Sequence, residues 1–137
     1  MLKPDQPYVL LHHKISDKEH WDLCLDLGEV LATWRVLSDP RVRPDKTDAG
    51  WPAQRIQDHR RAFLEYEGPL SGDRGDVRRV DRGVWGSIEQ GPAGWVVRLE
   101  GEVLRGVYRL PAEAGPGEML QIGLGESSED GPGRPPA

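Results

Sequence analysis

The stretch HWDLCLD, residues 20–26, brings together side chains that could bind a metal ion or act as a nucleophile. Read as a β-strand, it has two faces, because neighbouring side chains of a strand point in opposite directions. One face is apolar, with a tryptophan and two leucines, and predicts contact with a hydrophobic core. The other face carries the polar and reactive side chains, which are His20, Asp22, Cys24 and Asp26.

Two further histidines, His12 and His13, stand upstream of His20 and are separated from it by the turn KISDKE. An antiparallel pair of strands would bring one of them beside His20 and Asp22. Only one of the two can join the site, because adjacent residues face opposite ways, and parity alone does not say which. Two imidazoles and one carboxylate with open positions suit a divalent transition metal such as Mn²⁺ or Zn²⁺, which can promote hydrolysis.

Cys24 is the single cysteine of the chain and shares a face with His20 and Asp22, so three interpretations arise. The thiol could be a further soft ligand that favours Zn²⁺. It could instead be a small, half-buried packing residue, which is the commoner role of a lone cysteine. It could also be a nucleophile paired with a histidine, although a metal-dependent hydrolase needs none.

Short strands separated by turns are predicted for most of the chain. The 17 glycines and 12 prolines in 137 residues favour this pattern over long helices. Alternating strand-like segments lie at about 7–13, 20–26, 29–36, 75–81, 84–89, 94–100, 102–110 and 118–124. Turn signals lie at 26–28 (DLG), 81–83 (DRG), 90–94 (QGPAG) and 100–101 (EG). The pattern predicts an all-β fold with minor α content, a compact closed or partly open barrel of about eight strands with a surface groove.

The remaining segments complete a single predicted domain, residues 1–125. Residues 53–67 are the best helix candidate, or else a loop that runs into a strand. Residues 38–53 form a Pro- and Asp-rich connection that could act as a lid or substrate loop. Residues 126–137 contain almost no apolar side chains, so we expect a disordered acidic tail.

The overall charge and the sequence termini exclude several classes of protein. A net charge of −5 argues against a non-specific nucleic-acid coat, which needs a broadly basic surface. The sequence has neither a signal-peptide pattern nor an apolar run of membrane-spanning length. We therefore expect a monomeric cytoplasmic protein with no membrane partner.

A succession of short motifs gives the chain a family resemblance. His20-Trp21-Asp22, then Trp34, then Asp58-His59 and finally Glu67-Gly68 follow one another in order. This succession resembles the 3′-phosphoesterase module of bacterial DNA ligase D and its stand-alone relatives. In that family the run reads H-x(5)-H-[YW]-D-[LF]-R-L-E, followed by a tryptophan strand, E-D-H-P-x-x-Y and an F-E-G turn. The match covers about residues 7–110.

The resemblance implies a compact β-barrel with a groove and an enzyme that uses Mn²⁺. Such an enzyme trims 3′-terminal ribonucleotides and 3′-phosphates from DNA primer ends in repair by non-homologous end joining. Its partners would be DNA or DNA/RNA 3′ ends, with a separate ligase or polymerase. The resemblance assigns His13, His20 and Asp22 to the metal ligands, and it assigns His59 to contact with the scissile phosphate.

Three positions depart from the family pattern. Cys24 replaces an arginine that grips the phosphate, Phe63 replaces a tyrosine, and Gln57 replaces a glutamate. A cysteine or phenylalanine cannot supply the bidentate charged contact of an arginine, so Arg74 or Arg78 could provide the phosphate or nucleic-acid contact instead. Two alternatives follow: a non-catalytic module that binds nucleic-acid ends, and a metal-dependent phosphoesterase for a different substrate.

Overall fold

Nine antiparallel β-strands form one sheet in the computed structural model, which describes residues 5–44, 50–112 and 117–122. The strands are β1 (Gln6–Ile15), β2 (Lys18–Asp26), β3 (Val30–Val36), β4 (Trp51–Arg60), β5 (Gly68–Pro69), β6 (Asp76–Gly91), β7 (Gly94–Gly101), β8 (Arg105–Pro111) and β9 (Gly117–Ile122). A single 3₁₀ turn, Arg61–Leu64, follows β4. The described residues contain no α-helix, and none of their helical segments has the length and apolarity needed to cross a membrane.

The sheet closes into a ring of eight strands, because β1 pairs with both β2 and β6. The order around the ring is β1-β2-β3-β4-β9-β8-β7-β6, and the short β5 pairs with β6 outside it. The all-β, barrel-like prediction is confirmed, although the closed sheet is not a regular barrel. The predicted tail, 126–137, lies outside the described residues, as does part of the predicted lid, 45–49.

The inside of the ring holds the main hydrophobic core. Every strand of the ring contributes side chains to this core, and four of them are tryptophans: Trp21, Trp34, Trp51 and Trp85. On β2 these inward positions alternate with the polar ones, as the period of a strand requires. The tryptophan-and-leucine face of residues 20–26 is therefore the core face, as its pattern predicts.

A second, smaller cluster lies on the opposite, outer face of β1, β2, β3 and β6. Its buried members are Val9, Leu11, Cys24, Leu31 and Val77. The segment after β4 folds over this cluster and covers it with three side chains, which are Phe63, Leu64 and Leu70. Two hydrogen bonds of 2.9 Å from Arg61 to the buried carboxylate of Asp26 anchor the covering segment. The polar face of residues 20–26 thus points into this second cluster and towards its edge.

Two predicted elements differ from the structure in the middle of the chain. The helix predicted for residues 53–67 is wrong, because this segment is most of strand β4 followed by the 3₁₀ turn. The alternative, a loop that runs into a strand, is nearer to the structure. The predicted turn at 81–83 is wrong, because β6 is one 16-residue strand that runs through it. The aspartate in this turn-like motif has a different role, because Asp81 is buried within the strand. Its carboxylate accepts hydrogen bonds from the Tyr8 hydroxyl and from the backbone N–H groups of Val103 and Leu104.

Gly83 is required by close packing between β6 and β7 and not by a turn. A Cβ atom at this position would overlap with the backbone carbonyl oxygen of Glu100 on the paired strand. Gly91, at the end of the same strand, would meet nothing within 4 Å. The absence of a Cβ at position 83 therefore permits β6 to pack closely against the backbone of Glu100 and Gly101 on β7.

We predict that Gly83→Ala lowers the free energy of unfolding by about 1–3 kcal/mol, because backbone has to move to accommodate the added methyl group. Gly91→Ala is the matched control and should change stability by less than about 0.5 kcal/mol. Urea denaturation of both variants measures the difference. Equal stability of the two variants would contradict the packing role assigned to Gly83.

Candidate metal centre

His13, His20 and Asp22 converge at the edge of the outer cluster. The register of β1 and β2 places His13 directly opposite His20 and Leu11 opposite Asp22. His13 Nδ1 lies 3.1 Å from His20 Nε2, and His20 Nε2 lies 3.5 Å from Asp22 Oδ1. One ligand atom from each of the three residues lies within 4.8 Å of the other two.

The backbone carbonyl of Arg74 fixes the orientation of the His13 ring. His13 Nε2 lies 2.6 Å from this oxygen, which can only accept a hydrogen bond, so Nε2 carries the proton. The neutral ring then presents the lone pair of Nδ1 to His20, and a carbonyl partner of this kind is what typically orients a metal-binding histidine. The other candidate, His12, lies on the opposite face, where it stacks on Trp21. Its Nε2 pairs with Glu19 at 2.8 Å.

Two of the three separations among these ligand atoms match the spacing of neighbouring ligands around a divalent metal ion. Nitrogen and oxygen ligands stand about 2.0–2.2 Å from such an ion, so two adjacent ligands are about 3.0–3.5 Å apart. The separations of 3.1 Å and 3.5 Å fall in this range. Two imidazoles and one carboxylate, on two rigid strands, could therefore hold a transition-metal ion with positions left open.

Asp22 is the buried centre of this arrangement, with only 4% of the residue exposed. Besides His20, its carboxylate contacts Arg35 Nε at 3.4 Å through Oδ1 and His59 Nε2 at 3.4 Å through Oδ2. Burial alone would raise the pKa of Asp22, but hydrogen bonds from His20 and His59 and the charge of Arg35 hold this pKa well below its usual range. The carboxylate is consequently ionised and able to bind a cation.

His59 reaches the site because a β-bulge interrupts the pairing of β3 and β4. Thr33 pairs with Ile56, but Leu31 pairs with His59, so β4 uses three steps where β3 uses two. Ala53 faces the inside of the ring, and every second residue of a regular strand faces the same way. Without the extra residue, the side chain at position 59 would therefore also point into the ring. The bulge turns His59 to the outer face instead, which is a common use of bulges near active sites.

Arg55, on the inner face, contacts Asp58 across this bulge. Arg55 Nη2 lies 3.3 Å from Asp58 Oδ1, and the guanidinium lies over the rings of Trp34 and Trp95 at 4.6 Å and 5.1 Å from their centroids. Cation–π contacts of this kind hold the arginine in place. The pair therefore links residues on the two sides of the bulge.

A cavity of about 310 Å³ opens beside these residues. His13, Asp22 and His59 line it, and so do two of the positions that depart from the family pattern, Gln57 and Phe63. The Phe63 ring lies 5.6 Å from the His59 ring, so it limits the freedom of that imidazole. The cavity is large enough for a terminal phosphate group and part of a sugar.

Cys24 and Arg78 lie away from this cavity. Cys24 is fully buried in the outer cluster, where its Sγ is near Thr33 Oγ1 and the carbonyl of Asp22. Burial and the neighbouring Asp22 charge raise the pKa of the thiol, so it stays neutral and serves as a packing residue. Arg78 pairs with His12 in the sheet, on the face opposite His13, and its side chain is 71% exposed.

Arg74 and Arg35 are the arginines that line the cavity together with Arg60. Arg74 is among the site residues predicted from the sequence, but Arg35 is not. The signal for Arg35 was available, because the turn at 26–28 pairs β2 with β3 and places Arg35 directly opposite Asp22. A full register for that hairpin would have identified it.

A protein-family model described as "DNA Ligase D 3′-phosphoesterase domain" matches residues 11–111, which include every residue of the cavity named above. The chain belongs to the DNA ligase D 3′-phosphoesterase family. Members of this family are hydrolases of 3′-phosphate esters in DNA repair. No individually curated protein matches the chain in sequence. The match also confirms the family resemblance that the order of the motifs suggests.

The two adjacent histidines of this phosphoesterase-family chain provide a matched test of the metal centre. We predict that Mn²⁺ raises the melting temperature of the wild-type protein. A ligand that binds only the native state raises the free energy of unfolding by about 2.7 kcal/mol when its concentration is 100 times its Kd. His13→Ala and His20→Ala should abolish the rise, whereas His12→Ala should retain it. Thermal unfolding at several Mn²⁺ concentrations provides the measurement. A rise that survives in His13→Ala and disappears in His12→Ala would contradict the proposed ligand set.

Proposed function

We propose that this protein is a Mn²⁺-dependent phosphoesterase that removes 3′-terminal ribonucleotides and 3′-phosphates from DNA ends. The observation that carries the proposal is the position of His59, which contacts Asp22 of the His13–His20–Asp22 group and lines one cavity with His13 and Asp22, in a chain of this family. Its substrate would be DNA or DNA/RNA 3′ ends, and a separate ligase or polymerase would use the trimmed end. Zn²⁺ or another divalent transition metal could replace Mn²⁺ in the same ligand set.

His13 Nδ1, His20 Nε2 and Asp22 Oδ1 would hold the ion. The chemistry that a divalent ion would supply there is polarisation of a phosphoryl oxygen, which would favour attack of water on the phosphorus. The ligands are presented by the rigid β1–β2 pair, which reduces the loss of conformational entropy when the ion binds. The Arg74 carbonyl keeps the required tautomer of His13.

His59 is suited to contact the phosphate opposite the metal. Its Nε2 carries a proton towards Asp22 Oδ2, since a carboxylate can only accept. At 3.4 Å this contact is long and can be exchanged for a shorter one to a phosphate oxygen. In that position His59 would stabilise the charge that develops on the phosphate or donate a proton to the leaving oxygen.

A non-catalytic module that binds DNA ends is the second candidate. It is favoured by Cys24, which occupies the position that the family pattern gives to a phosphate-gripping arginine and is fully buried here. Such a module would bind metal and 3′-phosphorylated ends without turning them over. The two candidates differ in one measurable quantity, the rate of release of inorganic phosphate or of a nucleoside.

We predict that the purified protein with Mn²⁺ converts labelled primers ending in a ribonucleotide or a 3′-phosphate into primers ending in a 3′-hydroxyl. His59→Ala should slow this conversion by at least about 100-fold, because it removes a proton donor from the reacting phosphate. Its Mn²⁺-dependent stabilisation should remain, because His59 is outside the ligand set. Primers that bind tightly and stay uncleaved would support the binding module and contradict the hydrolase.

A further inference from the structure

We propose that Arg35 is the residue that binds the terminal phosphoryl group in the cavity. The proposal rests on the proposed function in that it identifies the anion-binding group of the same site. Arg35 lies next to the candidate metal ligand Asp22 and is not itself a ligand.

The sheet places Arg35 between the buried carboxylate and the solvent. Arg35 is the cross-strand partner of Asp22, and its Nε lies 3.4 Å from Asp22 Oδ1. The Arg35 side chain is 40% exposed, whereas the side chain of Asp22 is 5% exposed. The guanidinium therefore stands at the wall of the cavity, on the same carboxylate that His59 contacts from the other oxygen.

Most of the hydrogen-bonding capacity of Arg35 is unused. Only Nε has a hydrogen-bond acceptor among the residues that the structure describes, so the four N–H groups of Nη1 and Nη2 remain available. The contact with Asp22 orients the planar guanidinium while leaving this edge open. Two parallel N–H groups in a plane match two oxygens of a phosphate, and such bidentate contacts are the strong ones.

The charges that line the cavity favour the binding of an anion. Asp22 and Arg35 compensate each other, and both histidines are neutral when they bind a metal. A divalent ion would therefore leave an excess of positive charge, to which the cavity-lining Arg60 and Arg74 add, and a phosphate monoester carries nearly two negative charges at neutral pH. The one other carboxylate that lines the cavity, Asp58, is already paired with Arg55.

The neighbouring arginines are less suitable for this role. The Arg74 side chain donates to Ser71 O and Oγ, at 2.8 Å and 3.1 Å, which holds it against its own exposed loop. Arg60 lines the cavity but is exposed at the end of β4 and has no described contact with Asp22. Arg35 alone among the cavity arginines contacts the central carboxylate.

A purely structural role for Arg35 makes a different prediction. If Arg35 only keeps Asp22 ionised, its removal should weaken the binding of Mn²⁺ and should weaken phosphate binding only as a consequence. If Arg35 binds the phosphoryl group, its removal should weaken phosphate binding directly, with or without the ion. Affinities for the metal and for the anion must therefore be measured separately.

The test uses isothermal titration of the full chain with Mn²⁺ alone, with inorganic phosphate alone and with phosphate in the presence of Mn²⁺. Arg35→Ala removes the donors, Arg35→Lys keeps the charge without the planar pair of donors, and Arg109→Ala on β8 is a control that removes an exposed arginine far along the sheet. Rates with a 3′-phosphorylated primer are recorded for all four proteins. Arg35→Lys also serves if Arg35→Ala is poorly folded.

Arg35→Ala should weaken phosphate binding at least about tenfold while changing the Kd for Mn²⁺ by less than about threefold, and Arg35→Lys should fall between it and the wild type. Arg109→Ala should match the wild type. If the affinities follow this pattern but the wild type does not cleave primers, the phosphate-binding role of Arg35 is supported and the hydrolase function is refuted. Normal cleavage and phosphate binding in Arg35→Ala would overturn the role of Arg35 and leave the hydrolase standing. Parallel losses of Mn²⁺ and phosphate binding, or no phosphate binding by the wild type, would also overturn it.

Discussion

The buried carboxylate of Asp22 is the constraint on which the site depends. An ionised carboxylate that loses its water must be paired, because an unpaired buried charge costs several kcal/mol. Here the partners come from three different strands: His20 on β2, Arg35 on β3 and His59 on β4. The same pairing that stabilises the buried charge of Asp22 also brings together the proposed metal ligands, the proposed anion-binding group Arg35 and the proposed proton donor His59.

The two faces of the sheet have different roles: the inner face supplies the main hydrophobic core, and the outer face carries the candidate site. The inner face fills the ring with tryptophans and aliphatic side chains, so β1 to β4 are held in register without using their outer face. The outer face then needs only a small apolar cluster, and Cys24 belongs to this cluster. Its buried thiol packs beneath the site, so a charged side chain at position 24 would have to displace the cluster that supports Asp22. The proposed contact of the Arg35 guanidinium with the phosphate would avoid that conflict.

The sequence was sufficient for the features that follow strand periodicity. The alternation in residues 20–26 correctly divides Trp21 from His20 and Asp22, and the order of motifs identifies the family. Strand alternation alone does not decide whether His12 or His13 joins the site. The pairing of β1 with β2 decides it, because His13 lies opposite His20, and His13 is also held by the carbonyl of Arg74, 61 residues away. The position of His59 also could not follow from periodicity, because a bulge reverses the alternation on β4. Gly83 looked like part of a turn because close backbone packing and turns select the same residue.

The most direct test of the Asp22-centred site is an anomalous difference map from crystals grown with Mn²⁺. We expect one peak bound by His13 Nδ1, His20 Nε2 and an oxygen of Asp22, with His13 Nε2 still within hydrogen-bond distance of the Arg74 carbonyl. A peak bound through His12 or the Cys24 sulfur would contradict it, and so would a peak that leaves Asp22 uncoordinated.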